Sequence, residues 1–473
     1  MSKTECDIGV LGLGVMGRSF ALNMADRGFR VGVYNRTEEK TVRFLEEQAG
    51  GRPIEAGSTL QAFAEILKRP RAVLIFVPAG APVDETIDEL IPLLDPGDLV
   101  VDCGNSHFKD TDRRNRMLAG KGLLFLGLGV SGGESGARTG PSLMPGGSGE
   151  AYRRIRSILE ASAARVGGEP CVAYLGPGSA GHYVKMVHNG IEYGLMELIA
   201  ESYDLLRRGL DLSVEQLAST YAKWNEGVLN SYLIEITARV LERKDEKTGR
   251  PLVELIADRA RQKGTGRWTS MDALDLKTPV PTLDTAVTMR NLSDRREERE
   301  TAARVLGPEA GAASCGGDRE AFLPRLEQGL LAAMILAYAQ GMSLLKQASR
   351  SYGYGLDMSA VTGVWRGGCI IRSALLEEIR GAFREEPDLA NPLLSPALGR
   401  AVMKRRADLV KVVSTAAELG VPVPGFMSAL AWFDALRSAR LPANLIMAQR
   451  DYFGAHRYER VDEEGTFHTQ WEA

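Results

Sequence analysis

The sequence predicts an α/β N-terminal domain built on a Rossmann-type doubly wound sheet, then a large all-α domain and an extended C-terminal tail. Three observations carry that prediction. From Cys6 to about Tyr174, short β-branched runs alternate with polar helical stretches, the pattern of a parallel sheet with helices on both faces. Beyond Gly181 the periodicity becomes helical, in long stretches such as Glu327 to Lys346 and Ala397 to Leu419. From Pro442 to Ala473 the chain is polar and aromatic, with too little apolar periodicity for a core of its own. The expected boundaries are therefore residues 1–178, 179–441 and 442–473, with the tail lying on another part of the structure or on a second subunit.

The strands are expected at Ile8 to Leu11, Val31 to Tyr34, Val73 to Val77, Leu99 to Asp102 and Leu123 to Leu128, with a first helix near Ser19 to Arg27. The last of these runs enters a segment, Gly127 to Gly147, that holds eight glycines. Glycine there lets the backbone turn sharply or approach another group closely. Leu128, Val130, Leu143 and Met144 supply packing residues that a linker lacks, so an ordered binding loop is expected.

Bulk properties exclude several functions. With 473 residues the chain is long enough for two or three packed units. Lys and Arg number 58 against 61 Asp and Glu, so no global basic field exists to hold nucleic acid. Cys6, Cys103, Cys171, Cys315 and Cys369 are odd in number and never form a CxxC pair, which fits reduced thiols and not a disulfide frame or a zinc site. Charges at Lys3, Glu5 and Asp7 occupy the place of a secretory apolar run, and no membrane span is expected. A soluble, cytoplasmic protein is the reading.

Chemistry enters at the first strand. Ile8-Gly9-Val10-Leu11 delivers Gly12-Leu13-Gly14-Val15-Met16-Gly17, a GxGxxG turn, into a helix, so a pyrophosphate can sit at the helix's positive end. The second strand ends Asn35-Arg36-Thr37 without the carboxylate that binds a free ribose 2′-hydroxyl. Those side chains can receive a 2′-phosphate, Arg36 as a planar fork, and NADP is expected over NAD.

The helix opening the all-α part places Lys185, His188, Asn189 and Glu192 at i, i+3, i+4 and i+7, on one face. Val184, Val187, Ile191, Leu195 and Leu198 form a separate buried stripe. The polar face can be a solvated surface or a reactive site. Gly190 and Gly194 weaken a helix without capping it, which suggests close approach of another group. In a shared cleft, burial would lower a lysine's pKa and raise a carboxyl's, making a base and an acid. No histidine and carboxylate spacing typical of a metal site is present.

These residues resemble the 6-phosphogluconate dehydrogenase family, nearly end to end. The likeness runs through Gly12 to Gly17, Asn35-Arg36-Thr37, Gly104-Asn105-Ser106, Val130-Ser131-Gly132-Gly133-Glu134 and Pro141 to Gly147. It continues through Lys185-Met186-Val187-His188-Asn189-Gly190-Ile191-Glu192-Tyr193, Gln262 to Gly266, Trp365 to Arg372 and Gln449 to His456. The resemblance implies an NADP-dependent, metal-independent oxidative decarboxylation of 6-phosphogluconate, with Lys185 as general base and Glu192 as general acid. It assigns Asn105, Ser131, Gly132, Gly133, His188 and Asn189 to the sugar acid's carboxylate and hydroxyls. Tyr193, Lys263, Thr265 and Arg290 fall on the phosphate side. Arg450 and His456 match residues that the tail inserts into a neighbouring subunit's site, which implies a homodimer. Gly12, Gly14, Val15, Met16, Gly17, Asn35, Arg36, Thr37, Val77, Ala79 and Asn105 fall on the cofactor side. Four positions depart from the family pattern: Gly14 replaces a common alanine, Pro78 a usual lysine, Cys103 a usual glycine and His107 a usual acidic residue. The first two bear on NADP selectivity, the last two on the substrate loop. The nearest rival is another β-hydroxyacid dehydrogenase acting on a smaller, non-phosphorylated acid; a non-catalytic NADP-binding protein is a rival of another class.

Overall fold

The computed structural model describes residues 5–307 and 319–472. Lys3, Cys315 and Ala473, which entered the sequence reading, lie outside the described residues.

Strands β1 (Ile8–Leu11), β2 (Val31–Tyr34), β3 (Ile54–Ala56), β4 (Ala72–Ile75), β5 (Leu99–Asp102), β6 (Leu124–Ser131) and β7 (Ser142–Gly147) form one sheet in the order 3-2-1-4-5-6-7. The first six pair in parallel, and β7 returns antiparallel to β6. Strand residues alternate between two apolar layers, as the pleat requires. Leu74, Leu99, Val101 and Leu126 face a cluster with Phe20 and Met24 of α1 (Val15–Asp26). Val73, Ile75, Val100 and Phe125 face the opposite cluster with Val83, Ile87 and Leu90 of α2 (Ala81–Leu90). The sheet is thus doubly wound, and its order reverses between β1 and β4, the crevice where such folds hold ligands.

Sequence periodicity locates β1, β2 and β5 to the residue and misses β3 and β7. The glycine-rich segment expected as a loop contains β7, paired from Ser131↔Ser142 to Leu126↔Gly147. Its sequence, Ser-Leu-Met-Pro-Gly-Gly, carries turn residues, and Pro145 is tolerated because β7 is an edge strand.

The helices that position the site are α3 (Phe108–Ala119), α4 (Gly133–Thr139), α5 (Ala180–Asp204), α6 (Thr265–Asp275), α7 (Pro281–Ser293), α8 (Arg319–Tyr352) and α9 (Pro396–Leu419). One apolar core joins Val184, Val187 and Ile191 of α5 to Leu336 and Ala337 of α8 and Leu409 and Val412 of α9. α8 is long and apolar enough over Glu320–Tyr352 to cross a membrane by composition alone, but that stretch is buried inside the protein.

The tail is less extended than the sequence suggests, because α10 (Ala443–Gly454) begins it. Its single buried residue is Asp451, whose carboxylate accepts hydrogen bonds from Arg457 N (2.9 Å), His468 Nδ1 (2.9 Å), Thr469 N (3.0 Å) and Trp471 Nε1 (2.9 Å). Those donors hold the carboxyl far below its usual range against the opposing effect of burial. The tail is organised by one polar hub where apolar packing is scarce.

Candidate active site

The helix carrying Lys185 sits directly on the sheet. A Cβ at Gly146 would lie 2.1 Å from Gly181 N, and one at Gly129 would lie 2.6 Å from Lys185 Cβ. The glycines of β6 and β7 therefore serve close approach to α5. Gly129→Ala is expected to push α5 outward, lowering stability by about 1–3 kcal/mol and kcat by roughly 10- to 100-fold through displacement of Lys185. Thermal unfolding and steady-state rates check this. Gly190 has a similar reason: its Cβ would stand 2.6 Å from Thr269 Cγ2 of α6. Gly194 is looser, 3.4 Å from Leu283.

The polar face of α5 is buried, which excludes the solvated-surface reading left open by spacing. Lys185 is 6% exposed and His188 0%. Burial lowers the pKa of Lys185, opposed by the charge of Glu192 and by Cys369. Burial raises the pKa of Glu192, opposed by Lys185 and Arg290. Both shifts run toward a neutral amine and a protonated carboxyl, the states a general base and acid need at the start of reaction. The Cys369 thiol, itself buried, is pushed up to about 12 and stays protonated.

His188 is neutral, since burial and Lys185 hold its pKa well below the usual value. Its Nδ1 lies 3.0 Å from Asn189 Oδ1 and its Nε2 3.3 Å from Ser131 Oγ. An amide oxygen only accepts, so Nδ1 carries the proton and Nε2 accepts from Ser131. Asn189 Nδ2 donates to Thr265 Oγ1 (3.1 Å), which fixes the amide's orientation. Trp365 closes the wall, edge-on to His188 at 5.7 Å. Ser131, His188, Asn189 and Thr265, drawn from β6, α5 and α6, are thereby one connected set.

Gly132 and Gly133 follow Ser131 into α4 with positive φ, and a Cβ on Gly132 would meet Gly368 O at 2.5 Å. One turn beyond Asn189, the Arg290 guanidinium of α7 stacks 3.6 Å over the Tyr193 ring. Its Nη1 donates to Arg261 O (3.3 Å) and its Nη2 contacts Met196 Sδ (3.6 Å). Lys263 is exposed in the loop before α6. Arg450 and His456 are exposed on the tail, where Arg450 Nη1 contacts Met447 Sδ and His456 packs on Phe453. Within one chain neither joins the α5 set.

At the β1 crevice, Gly12 has φ +98° and its Cβ would lie 2.4 Å from Phe76 O, so a side chain would fill the turn. The first turn of α1 has no side-chain cap, which leaves N–H groups for an anion. Asn35 Oδ1 accepts from Leu13 N (3.0 Å) and Asn35 Nδ2 donates to Thr37 O (3.0 Å), fixing the end of β2 beside the glycine turn. Arg36 and Thr37 are exposed there, as are Val15 and Ala79. Met16 packs partly buried against the sheet and Val77 follows β4, partly buried. A Cβ at Gly14 would meet nothing within 4 Å, so the alanine common in the resembling family fits the same backbone. The residues present fit a dinucleotide carrying a 2′-phosphate.

Asn105 is exposed on the loop after β5. Beneath it lies a network that sequence reasoning missed. Asp102 Oδ1 accepts from Gly104 N (3.0 Å) and Oδ2 from Ser106 Oγ (2.6 Å) and Arg114 Nη1 (3.3 Å). His182, one turn before Lys185, donates from Nε2 to Asp102 O (3.1 Å), and its Nδ1 meets Thr111 Oγ1 at 2.7 Å. A signal was available: Arg114 falls on the stripe of Phe108, Thr111 and Leu118 that α3 buries, and a charge on such a stripe needs a buried partner. Among the described residues, no group of three or more His, Cys, Asp or Glu side chains is placed to hold a metal ion.

Comparison with known proteins decides the family. Residues 7–176 match the NAD binding domain of 6-phosphogluconate dehydrogenase, and residues 181–471 match the 6-phosphogluconate dehydrogenase C-terminal domain. The chain belongs to the 6-phosphogluconate dehydrogenase family. A relative from Bacillus subtilis (strain 168), named 6-phosphogluconate dehydrogenase, NADP(+)-dependent, decarboxylating, is 50% identical over 472 residues, covering 100% of each chain. The decarboxylating 6-phosphogluconate dehydrogenase of Escherichia coli (strain K12) is 48% identical over 473 residues, again covering 100% of each. The Plasmodium falciparum 6-phosphogluconate dehydrogenase, solved in its apo form and in complexes with NADP+ and with 6-phosphogluconate, superposes with a TM-score of 0.96. It is 42% identical, with 98% of this chain and 100% of that chain covered.

Proposed function

We propose that this chain oxidatively decarboxylates 6-phosphogluconate to ribulose 5-phosphate and carbon dioxide with reduction of NADP, using Lys185 as base and Glu192 as acid. The observation that carries the reading is the pair on α5, Lys185 buried and Glu192 partly buried, whose pKa values move in the directions such a reaction needs. Full-length identity of 50% to an NADP(+)-dependent, decarboxylating relative supports it.

Neutral Lys185 takes the proton of the substrate's 3-hydroxyl as carbon 3 is oxidised. Bound NADP supplies the hydride acceptor. The resulting ketone receives the electron pair of the breaking bond to the carboxylate, and the ammonium of Lys185 stabilises the developing enolate oxygen. Glu192 then delivers its proton to the former carbon 2 of the substrate, which becomes carbon 1 of ribulose 5-phosphate. Ser131, Gly132, Gly133, His188, Asn189 and Asn105 orient the sugar acid, and Tyr193, Lys263, Thr265 and Arg290 hold the phosphate end. Arg36, with Asn35 and Thr37, holds the 2′-phosphate of the cofactor. No step requires a metal ion.

Two proton-transfer groups on one buried helix disfavour a non-catalytic binding protein. The test is NADPH formation and carbon dioxide release with 6-phosphogluconate, repeated with NAD. Absent turnover in a folded, NADP-binding preparation would overturn the function, and a preference for NAD would overturn the role given to Arg36.

The active unit is proposed to be a homodimer in the cytoplasm, each tail entering the other subunit's site. Supporting it, α10 exposes Leu445, Ile446 and Phe453 beside Arg450 and His456. Arg450→Ala is expected to raise KM for 6-phosphogluconate by roughly 10- to 150-fold, the loss of about 1.5–3 kcal/mol for a charged hydrogen bond, with little change in KM for NADP. Mixing it with Lys185→Met chains should restore about a quarter of the sites, since each mixed dimer then holds one intact site. No recovery on mixing would place the tail on its own chain.

A further inference from the structure

Arg114 is completely buried, yet it belongs to neither the base, the acid nor the groups assigned to substrate. Its Nε donates to Asp84 Oδ1 (2.8 Å) and its Nη2 to Asp84 Oδ2 (3.1 Å) and Gly80 O (3.0 Å). Its Nη1 donates to Ser106 Oγ (3.1 Å) and Asp102 Oδ2 (3.3 Å). One edge of the guanidinium therefore holds Gly80, directly after Val77 and Ala79, and the first turn of α2, and the other holds Asp102 and Ser106, which flank Asn105. The same Asp102 receives His182 from the turn before Lys185.

We infer that Arg114 is a positioning residue that couples dinucleotide binding to substrate binding, an inference that rests on the ligand assignments proposed above. A guanidinium is planar and its donors are fixed relative to one another, so the two loops cannot reorient independently without breaking a buried charged hydrogen bond. Ordering one loop around its ligand orders the other, and the second ligand binds to a site already set. A merely structural ion pair would contribute to folding and leave the two affinities independent. Lysine cannot reproduce the two-edged grip, because its ammonium is a single point of donation.

The test uses the full-length enzyme with 6-phosphogluconate and NADPH, a pair that does not react forward. Calorimetric titration gives the Kd for 6-phosphogluconate with and without saturating NADPH. The unaltered protein is expected to bind 6-phosphogluconate at least about fivefold more tightly with NADPH present. Arg114→Lys is expected to lower that ratio by more than about twofold, toward one. Asp84→Asn, at a residue 31% exposed, loosens the dinucleotide-side anchor together with the Arg113 pair that shares its carboxylate, and is expected to shift the ratio in the same direction. It decides the matter alone if Arg114→Lys does not fold. A ratio below about fivefold in the unaltered protein, or variants within about twofold of it, would overturn the coupling. Failure of the unaltered protein to bind 6-phosphogluconate at all would instead overturn the proposed function, and the coupling with it.

Discussion

Replacing Lys185 by methionine is expected to reduce kcat by at least about 10⁴-fold, because in the proposed mechanism one side chain serves two steps. Loss of a general base removes about 10²–10⁴-fold, and loss of the cation beside the enolate removes about 10²–10³-fold. The two are not additive. Methionine keeps the shape that packs against Gly129, and it replaces an ammonium that burial disfavours. The variant should therefore unfold at a temperature no lower than the unaltered protein. A pronounced drop in Tm together with the lost rate would mean that Lys185 acts through the fold. The pH dependence has a definite sign. The lysine must be neutral to accept a proton, so activity is lost as pH falls through its lowered pKa.

The second large effect belongs to Glu192. Glu192→Gln preserves size and hydrogen-bonding capacity but has no proton to deliver, and kcat is expected to fall by about 10²–10³-fold. The acid must be protonated, so in the unaltered enzyme activity is lost as pH rises through its raised pKa. Because Lys185 and Glu192 influence one another, the two limbs of the profile belong to the pair. A separate measurement isolates the step: deuterium exchange at carbon 1 of ribulose 5-phosphate, followed by NMR in D2O. Exchange at an undiminished rate in Glu192→Gln would remove the glutamate from the reprotonation.

Particular residues show what a sequence can and cannot disclose here. Helical spacing alone aligns Lys185, His188, Asn189 and Glu192, because a 3.6-residue period is local. Their burial is not local: it comes from Gly129 on β6, Trp365, and Thr265 and Thr269 on α6, all distant along the chain. Likewise β1 and β2 announce themselves by β-branched content, whereas β7 becomes a strand through pairing with β6 despite Pro145 and two glycines. The motif at Gly12 to Gly17 is legible because its turn is made by the glycines themselves. Arg114 shows in the pattern only as a charge on the buried stripe of α3, and its partner Asp102 at the end of β5 cannot be paired with it until the fold brings the two together.

The hub at Asp451 has a consequence for assembly. Every one of its donors comes from the tail itself, so α10 and the residues after it are already shaped before they meet any receiving surface. Docking such a prefolded piece sacrifices mainly rigid-body freedom, whereas a slack strand would also lose backbone entropy residue by residue. In the proposed dimer, affinity between subunits should then depend on a carboxylate whose hydrogen bonds all come from its own tail. Loosening that hub would act as added entropy in the free chain, weakening association without altering one interfacial contact.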